Sequence, residues 1–172
     1  MIPDQQIIIE SWTFRKTMGL FATGVTVLTT EVEGRVIGMT ANSVTSVSLE
    51  PPLLLVCVHK KAKITEALRK SGRFSISILN ENQRDLSCFF ANMWTEPEPP
   101  PFTFKPWIGG SRLEGTIGAV ACQINEFLEG GDHWIVIGQV IDLHYEECPA
   151  NPLLFCKGQY RQMLNQPLPM RS

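Results

Sequence analysis

Short strands dominate the pattern of apolar and polar residues along the chain. Residues 74–79 alternate with a period of two, which is typical of a half-buried strand, whereas residues 53–58 form a continuous apolar run, typical of a strand buried on both faces deep in a sheet. The other predicted strands are residues 25–30, 36–40, 118–127, 133–145 and 153–160. Turn residues at Glu33-Gly34 and Gly130-Gly131-Asp132 separate neighbouring strands. The pattern predicts six or seven strands.

Few and short helices accompany these strands. They are expected at residues 12–21, 64–70 and 83–90. Thr65 is the expected cap of the second helix and Gly72 its stop, and Asn80 or Asn82 is the expected cap of the third. Many short strands with few helices favour a closed barrel over a doubly wound sheet.

Proline interrupts regular structure in residues 94–106, which hold Pro97, Pro99, Pro100, Pro101 and Pro106. This segment is predicted to be a surface loop, either a lid over a site or a stiff connection, with the connection favoured.

A chain of 172 residues is near the usual size of one domain, so residues 1–172 are expected to form a single domain.

Composition narrows the class of function. The chain is 44% hydrophobic and 19% charged, as in ordinary globular proteins, and its net charge of −2 makes nucleic acid an unexpected partner. The longest apolar run is far shorter than the roughly 20 residues of a membrane-spanning helix, and no secretory signal is evident, so a cytoplasmic protein without a membrane partner is expected. The odd cysteine count and the scattered histidines predict neither a disulfide framework nor a metal site.

Familiar nucleotide and hydrolase motifs are absent from the sequence. It has no Gly-x-Gly-x-x-Gly or Walker-type loop, and no Gly-x-Ser-x-Gly elbow accompanies the adjacent Asp132 and His133. A Rossmann site, a P-loop and a serine hydrolase triad are therefore not predicted. Any nucleotide must be held by other means.

Three other segments carry candidate chemistry. Residues 40–52 are small and polar, and such residues expose backbone groups that suit the polar edge of an isoalloxazine ring, although composition alone favours a plain connecting loop. Lys60, Lys61 and Lys63 precede a predicted helix, where free N–H groups and positive charge favour a phosphate, or form a solvated basic loop. Asp132 and His133 either open a pocket or satisfy a hairpin turn.

Taken together, these segments resemble the flavin reductase family of the FMN-binding split barrel. The matching features are Phe21-Ala22-Thr23-Gly24-Val25-Thr26-Val27, Thr40-Ala41-Asn42-Ser43 through Pro51-Pro52-Leu53, Gly72-Arg73-Phe74, Gly131-Asp132-His133 and Pro152-Leu153-Leu154. The similarity covers residues 12–164. It implies a mostly β fold with short helices, a split β-barrel of the FMN-binding type, arranged as a homodimer with a flavin near the subunit interface.

The resemblance also implies roles for individual residues. The isoalloxazine ring would lie along Thr40, Ala41, Asn42 and Ser43, the ribityl chain near Cys57 and Val58, and the phosphate by Lys63 and Thr65, with Phe90 flanking the flavin. His133 would face the nicotinamide, with Tyr160 close to the same pocket.

The implied activity is NAD(P)H-dependent flavin reduction, in which NADH or NADPH gives a hydride to FMN or FAD. A separate monooxygenase would receive the reduced flavin. Many members have two serines where this chain has Lys61-Ala62, which leaves open whether FMN or FAD is preferred.

Two rival hypotheses are also compatible with the sequence. The first is a flavin-binding electron-transfer protein of the same fold, because a fold does not dictate turnover. The second is a haem-binding or structural split-barrel protein, in which His59, His133 or His144 would have to serve as the axial ligand. A visible spectrum separates the three possibilities by a flavin band, a haem band or neither.

Overall fold

A computed structural model describes residues 8–148 and 150–163 of the chain. The helices are α1 Ser11–Met18, α2 Ile64–Ser71 and α3 Arg84–Phe90. The strands are β1 Thr23–Gly24, β2 Thr26–Val32, β3 Arg35–Ala41, β4 Val44–Leu49, β5 Pro52–His59, β6 Arg73–Ile78, β7 Phe104–Lys105, β8 Arg112–Leu113, β9 Gly118–Gly130, β10 His133–Tyr145, β11 Leu154–Cys156 and β12 Gln159–Arg161. The described residues contain no helix with the length and apolar content needed to cross a bilayer.

Seven strands form one antiparallel sheet in the order β3-β2-β6-β9-β10-β5-β4. Its two edge strands, β3 and β4, are consecutive in the chain and are joined by only Asn42 and Ser43. Because two residues span only about 7 Å, the sheet must curl until its edges approach one another. This is the curled, split-barrel arrangement expected from the sequence.

The barrel interior is filled by apolar residues from the sheet and from α2. Ile64, Ala67 and Leu68 of α2 are buried, and the helix ends where Gly72 adopts a left-handed conformation with φ +67°. The predicted α2 and its stop are therefore confirmed. Its predicted cap is wrong, because the Thr65 hydroxyl donates to the carbonyl of His59, 3.1 Å away, and is not used to cap the helix.

The observed burial of β5 and β6 is the reverse of the burial predicted for residues 53–58 and 74–79. Along β5 buried and half-buried residues alternate, so only one of its faces lies in the core. Along β6 four consecutive residues from Phe74 to Ser77 are buried. The outer face of β6 is covered by the segment that follows the proline-rich loop, since Ser75 donates to the carbonyl of Gly110 and the Leu113 N–H donates to Ser77.

Other elements and caps also differ from the prediction. Helix α1 ends before Gly19, and α3 lacks an asparagine cap because the Asn80 side chain accepts from the N–H of Asn82. Strand β4 replaces part of the polar segment 40–52, since its backbone pairs with β5. Residues 153–160 form two short strands around a turn at Lys157-Gly158, so the described residues hold twelve strands.

Candidate functional site

A cavity of about 890 Å³ lies where β3, α3 and the β11–β12 hairpin meet. Its volume is within the range of ligand pockets, roughly 300–1,000 Å³. The lining residues that could address a ligand include Thr40, Asn42, Arg84, Ser87, Tyr160 and Arg161. The cavity therefore brings together Thr40, Asn42 and Tyr160, which the sequence singles out separately.

Hydroxyl groups connect the walls of this cavity. The Thr40 hydroxyl donates to the carbonyl of Ser87 at 2.7 Å, and the hydroxyls of Ser87 and Tyr160 are hydrogen-bonded at 2.9 Å. Ser87 is fully buried. Burial raises the pKa of the Tyr160 phenol, while the hydrogen bond to Ser87 acts in the opposite direction. Ser87 thus fixes α3 to both β3 and β12, a role that no motif in the sequence signals.

Residues 41–43 continue from the cavity toward β5. Ala41 is buried and its carbonyl accepts from the Thr26 hydroxyl, so its side chain is not available to a ligand. Ser43 is exposed and exchanges two contacts with Cys57, its hydroxyl donating to the Cys57 carbonyl and its carbonyl accepting from the Cys57 N–H. Asn42 is exposed beside Thr23. The loop therefore places Ser43 directly next to Cys57.

The outer face of β5 leads from Cys57 to His59. Side chains two residues apart lie on the same face of a strand, roughly 7 Å apart, so Cys57 and His59 both face outward. Val58 is fully buried and packs in the core, and it can therefore offer a ligand only its backbone. A contact of a ribityl chain with the Val58 side chain is excluded, whereas a contact with Cys57 stays a prediction.

The loop between β5 and α2 supplies positive charge. Lys60 pairs with Glu129 at 3.1 Å, whereas Lys61 and Lys63 are exposed and form no ion pair within residues 8–148 and 150–163. The Thr65 hydroxyl is buried and already donates to the His59 carbonyl. Lys63 is therefore free to meet an anion. A phosphate contact with Thr65 stays a prediction, and the hydroxyl could donate to a phosphate oxygen only by giving up its hydrogen bond to the His59 carbonyl.

His133 lies beside that loop because β10 pairs with β5 and sets it opposite His59. The two imidazoles are in edge contact with centroids 5.1 Å apart, and His133 Nδ1 is 2.7 Å from Asp132 Oδ1. The hydrogen bond from His133 lowers the pKa of the Asp132 carboxyl, and the charge of His133 lowers it further. Asp132 therefore orients the ring with Nδ1 toward the carboxylate and leaves Nε2 for another partner.

Phe90 belongs to the core in the structure. Its side chain is 9% exposed and packs in a second apolar cluster with Leu86 and Leu113. A Cβ at Gly38 would come within 2.6 Å of the ring, so glycine is required for this close approach. The ring also contacts Phe102 of the proline-rich segment, which supports the interpretation of that segment as a stiff connection. The role of Phe90 as a flavin neighbour stays a prediction.

His133 and Tyr160 lie in separate parts of the folded structure. His133 is not among the residues that line the cavity, and no hydrogen bond, ion pair or ring contact within the described residues joins it to Tyr160. The predicted common pocket therefore is not formed by these two residues of one chain alone. The part of the chain that the structure describes also holds no cluster of three metal-binding side chains.

Comparison with known proteins shows to which family the chain belongs. Residues 18–164 match the model of the flavin reductase like domain. The chain is 40% identical over 152 residues to an NADH-dependent flavin reductase of Rhodococcus, covering 87% of this chain and 84% of the relative. It is 37% identical over 159 residues to the reductase subunit HsaB of a flavin-dependent monooxygenase of Mycobacterium tuberculosis, covering 88% and 82% of the two chains.

Solved structures show the same fold. The flavin reductase PheA2 in its native state superposes with a TM-score of 0.86 at 39% identity, covering 91% of this chain and all of that one. The NADH:FAD oxidoreductase SgcE6 of Streptomyces globisporus, in complex with NAD and FAD fragments, gives a TM-score of 0.82 at 30% identity and covers 94% and 98% of the two chains. The fold is that of a flavin reductase split barrel. The chain belongs to the flavin reductase like family, as the sequence predicts.

Proposed function

We propose that this domain binds FMN or FAD and reduces it with NADH. The observation that carries the proposal is a series of cavity-lining and accessible groups on adjacent segments of the chain. It begins at Thr40 and Asn42 in the cavity, passes Ser43 and Cys57, and ends at Lys63. One molecule with a polar ring at one end and a phosphate at the other matches that order.

The residues present fit such a ligand at both ends. The cavity near Thr40 combines buried apolar walls with hydroxyl and amide groups, which suits a flat ring with a polar edge. The exposed cations at Lys61 and Lys63 suit the phosphate or diphosphate of the same molecule. The relative from Rhodococcus is named as NADH-dependent, and that from Streptomyces as an NADH:FAD oxidoreductase, which favours NADH as the donor.

In this reaction the chemistry belongs to the cofactors, since a bound flavin accepts a hydride from the nicotinamide. The protein contributes orientation. The cavity walls hold both rings in place, and positioning of this kind supplies a large part of the rate. Asp132 fixes the ring of His133, so that its free nitrogen presents a constant contact to the nucleotide.

Two chains are proposed to form the working unit. Phe14, Met18 and Phe21 lie on one side of α1 and just beyond its end, and they are 60%, 51% and 71% exposed. A homodimer would cover this apolar stripe, and the second chain would bring its own His133 toward a cavity that lacks one. Sedimentation of the wild type should give a dimer mass and that of Phe14→Glu a monomer mass. A wild-type monomer with full activity would contradict the dimer.

The reduced flavin is proposed to pass to a separate monooxygenase. The relative from Mycobacterium tuberculosis is the reductase subunit of such a system, which supports this partner.

We place the reaction in the cytoplasm, because all five cysteines are free thiols and reducing compartments keep them so.

Thermal unfolding in the presence of FMN, FAD and riboflavin tests flavin binding. A ligand that binds only the folded state raises the free energy of unfolding by RT ln(1 + [L]/Kd), so Tm should rise with flavin concentration. No shift with any of the three at saturation would overturn the proposal. A visible spectrum of the complex, followed after addition of NADH, separates a reductase from a carrier that keeps its flavin oxidised.

A further inference from the structure

His59 lies at the junction of two parts of the proposed site. It is the last residue of β5, and residues 60–63, called the lysine loop from here on, follow it directly. In the register between β5 and β10 the same residue lies opposite His133. Its side chain is 44% exposed, so it is not part of the core. One residue therefore borders both the proposed phosphate end and the proposed nucleotide end.

The lysine loop is organised around His59. The Lys61 N–H donates to His59 Nδ1 at 3.0 Å. The His59 carbonyl accepts from the Ala62 N–H at 2.8 Å and from the Thr65 hydroxyl at 3.1 Å. The two bonds to the carbonyl can form with any residue at position 59, whereas the bond to Nδ1 belongs to the side chain. The imidazole thus adds a specific restraint on the backbone that carries Lys61 and Lys63.

The other nitrogen of the His59 ring lies near Asp132. Because Nδ1 accepts a hydrogen bond, the neutral imidazole carries its proton on Nε2. This nitrogen is 4.0 Å from Asp132 Oδ2, a distance that gives an electrostatic contact and not a hydrogen bond. Asp132 Oδ1 is hydrogen-bonded to His133 Nδ1 at 2.7 Å. The carboxylate therefore interacts with both imidazoles, and more closely with that of His133.

The ring of His133 is also in direct contact with His59. The two imidazoles meet edge to face, with centroids 5.1 Å apart and an interplanar angle of 78°. Such a pair is favourable beyond the area that it buries. The Lys60 N–H donates to the Asp132 carbonyl at 2.9 Å, which fixes the backbone of the hairpin to the lysine loop. His133 is thus held by the Asp132 carboxylate and by the edge contact with His59.

We propose that His59 is a positioning residue for both ends of the site. Through Nδ1 it holds the lysine loop for the flavin phosphate, and through Nε2 and the ring contact it holds Asp132 and His133 for the nicotinamide nucleotide. The inference rests on the proposed flavin reduction. His59 acts through these neighbours and takes no direct part in hydride transfer.

Two substitutions separate the two sides of the His59 ring. An asparagine amide reaches about as far as Nδ1, so His59→Asn keeps an acceptor for the Lys61 N–H and removes the contacts with Asp132 and His133. A glutamine amide reaches about as far as Nε2, so His59→Gln keeps a polar N–H group near Asp132 and removes the acceptor for Lys61.

His59→Asn should act on the nucleotide. At saturating flavin its KM for NADH should rise about threefold to tenfold, as expected for a lost aromatic pair and a weak charge contact, with kcat and the Kd of FMN within about twofold of the wild type. His59→Gln should raise KM for NADH less than His59→Asn does. An unchanged KM in His59→Asn would overturn the inference.

His59→Gln should act on the flavin phosphate. Its Kd for FMN and FAD should rise about threefold to tenfold, as expected for one lost hydrogen bond that orders the lysine loop, and its Kd for riboflavin should stay within about twofold. A loss of general stability would not discriminate between flavins in this way. Equal losses for FMN and riboflavin, or the same profile in both His59 variants, would contradict the proposal.

His144 supplies the matched control. Its side chain is 31% exposed and pairs with the Glu146 carboxylate at 3.1 Å, as the two histidines of the site interact with Asp132. His144→Asn and His144→Gln should leave KM for NADH and the Kd of all three flavins unchanged. Changes as large as those at His59 would show that the effects are not specific to the site.

Heteronuclear NMR of the protein without ligands gives a readout that needs no turnover. The Lys61 amide should exchange with solvent faster in His59→Gln than in His59→Asn, and the ring resonances of His133 should shift in His59→Asn. If the wild type reduces no flavin with NADH, the proposed function fails. The spectra then still decide whether His59 holds the loop and His133, since unchanged Lys61 exchange in His59→Gln or unchanged His133 signals in His59→Asn would contradict it.

Discussion

The two ends of the proposed flavin site are built in opposite ways. At the cavity end, Thr40, Ser87 and Tyr160 satisfy one another by hydrogen bonds, and Ser87 is fully buried. At the loop end, Lys63 is exposed, and beside that loop the side chains of Asp132 and His133, which are proposed to meet the nucleotide, are 78% and 41% exposed. The contacts that shape the cavity therefore also stabilise the fold, whereas the charged side chains at the loop end lie exposed near the ends of the paired strands β5 and β10.

This difference predicts where substitutions act. Changes at the cavity end should lower the free energy of unfolding as well as binding. Changes at the loop end should alter binding or turnover and leave stability nearly unchanged, because exposed ion pairs contribute little to folding.

The largest effect is expected for Phe90→Ala. Removal of a buried phenylalanine ring leaves a cavity and costs about 3–5 kcal/mol. Urea unfolding should show this loss, whereas Tyr145→Ala, at a 75% exposed aromatic residue, should stay within about 0.5 kcal/mol of the wild type. Similar unfolding free energies for both variants would show that the ring is not part of the core.

Lys63→Ala should weaken binding of FMN and FAD by about 1.5–3 kcal/mol, since a charge-assisted phosphate contact is lost. Riboflavin, which has no phosphate, should bind equally well to variant and wild type. Calorimetric titration with the three flavins measures this, with Lys70→Ala as the control on α2. Equal losses for all three flavins would place Lys63 away from the phosphate.

His133→Ala should lower kcat/KM for NADH, by an amount that corresponds to about 1–3 kcal/mol of transition-state stabilisation, and leave flavin affinity nearly unchanged. The reason is that hydride transfer needs positioning but no general acid. His144→Ala is the matched control, since His144 also pairs with a neighbouring carboxylate, Glu146, at 3.1 Å. Stopped-flow reduction of the preformed flavin complex is the measurement. An unchanged rate and unchanged NADH dependence in His133→Ala would assign His133 to the hairpin alone.

Ser87→Ala should have the smallest effect, a loss of about 1–2 kcal/mol in unfolding free energy from one buried hydrogen bond. It should also raise the pKa of Tyr160 further, because the hydrogen bond from Ser87 opposes the effect of burial.

The sign of the accompanying pH dependence follows from that shift. A phenol whose pKa is raised in the folded state stabilises the fold at pH below the ordinary tyrosine pKa of about 10, and that contribution is lost as the pH rises above it. Unfolding of the wild type and Tyr160→Phe should therefore diverge at alkaline pH. Cys122, whose pKa burial raises to about 12, contributes equally to both. Parallel pH profiles of the wild type and Tyr160→Phe would contradict a raised pKa of Tyr160 in the folded protein.

Local sequence patterns were sufficient to predict some elements of the fold and their burial, and were not sufficient for others. Helix α2 could be predicted because its apolar spacing and its stop at Gly72 are local. The burial of β6 could not, since it depends on a distant segment, including Gly110, that covers its outer face. The alternating burial of β5 likewise reflects what packs against it and not its own composition.

The site shows the same division. Thr40 and Asn42 belong to a segment with a motif signal, Tyr160 is placed by the family resemblance, and the structure brings all three around one cavity. The contact of His59 with His133 depends on the register between β5 and β10, which no single segment encodes. Ser87 has no motif of its own, and its importance appears only when α3 is packed against β3 and β12.

Anaerobic mixing of the protein with NADH and a flavin tests the central claim most directly. The purified chain, supplied with FMN or FAD, should bleach the visible absorbance of the flavin and oxidise NADH in equal amounts, much faster than the same mixture without protein. Bound flavin that stays oxidised in the presence of excess NADH would contradict the account.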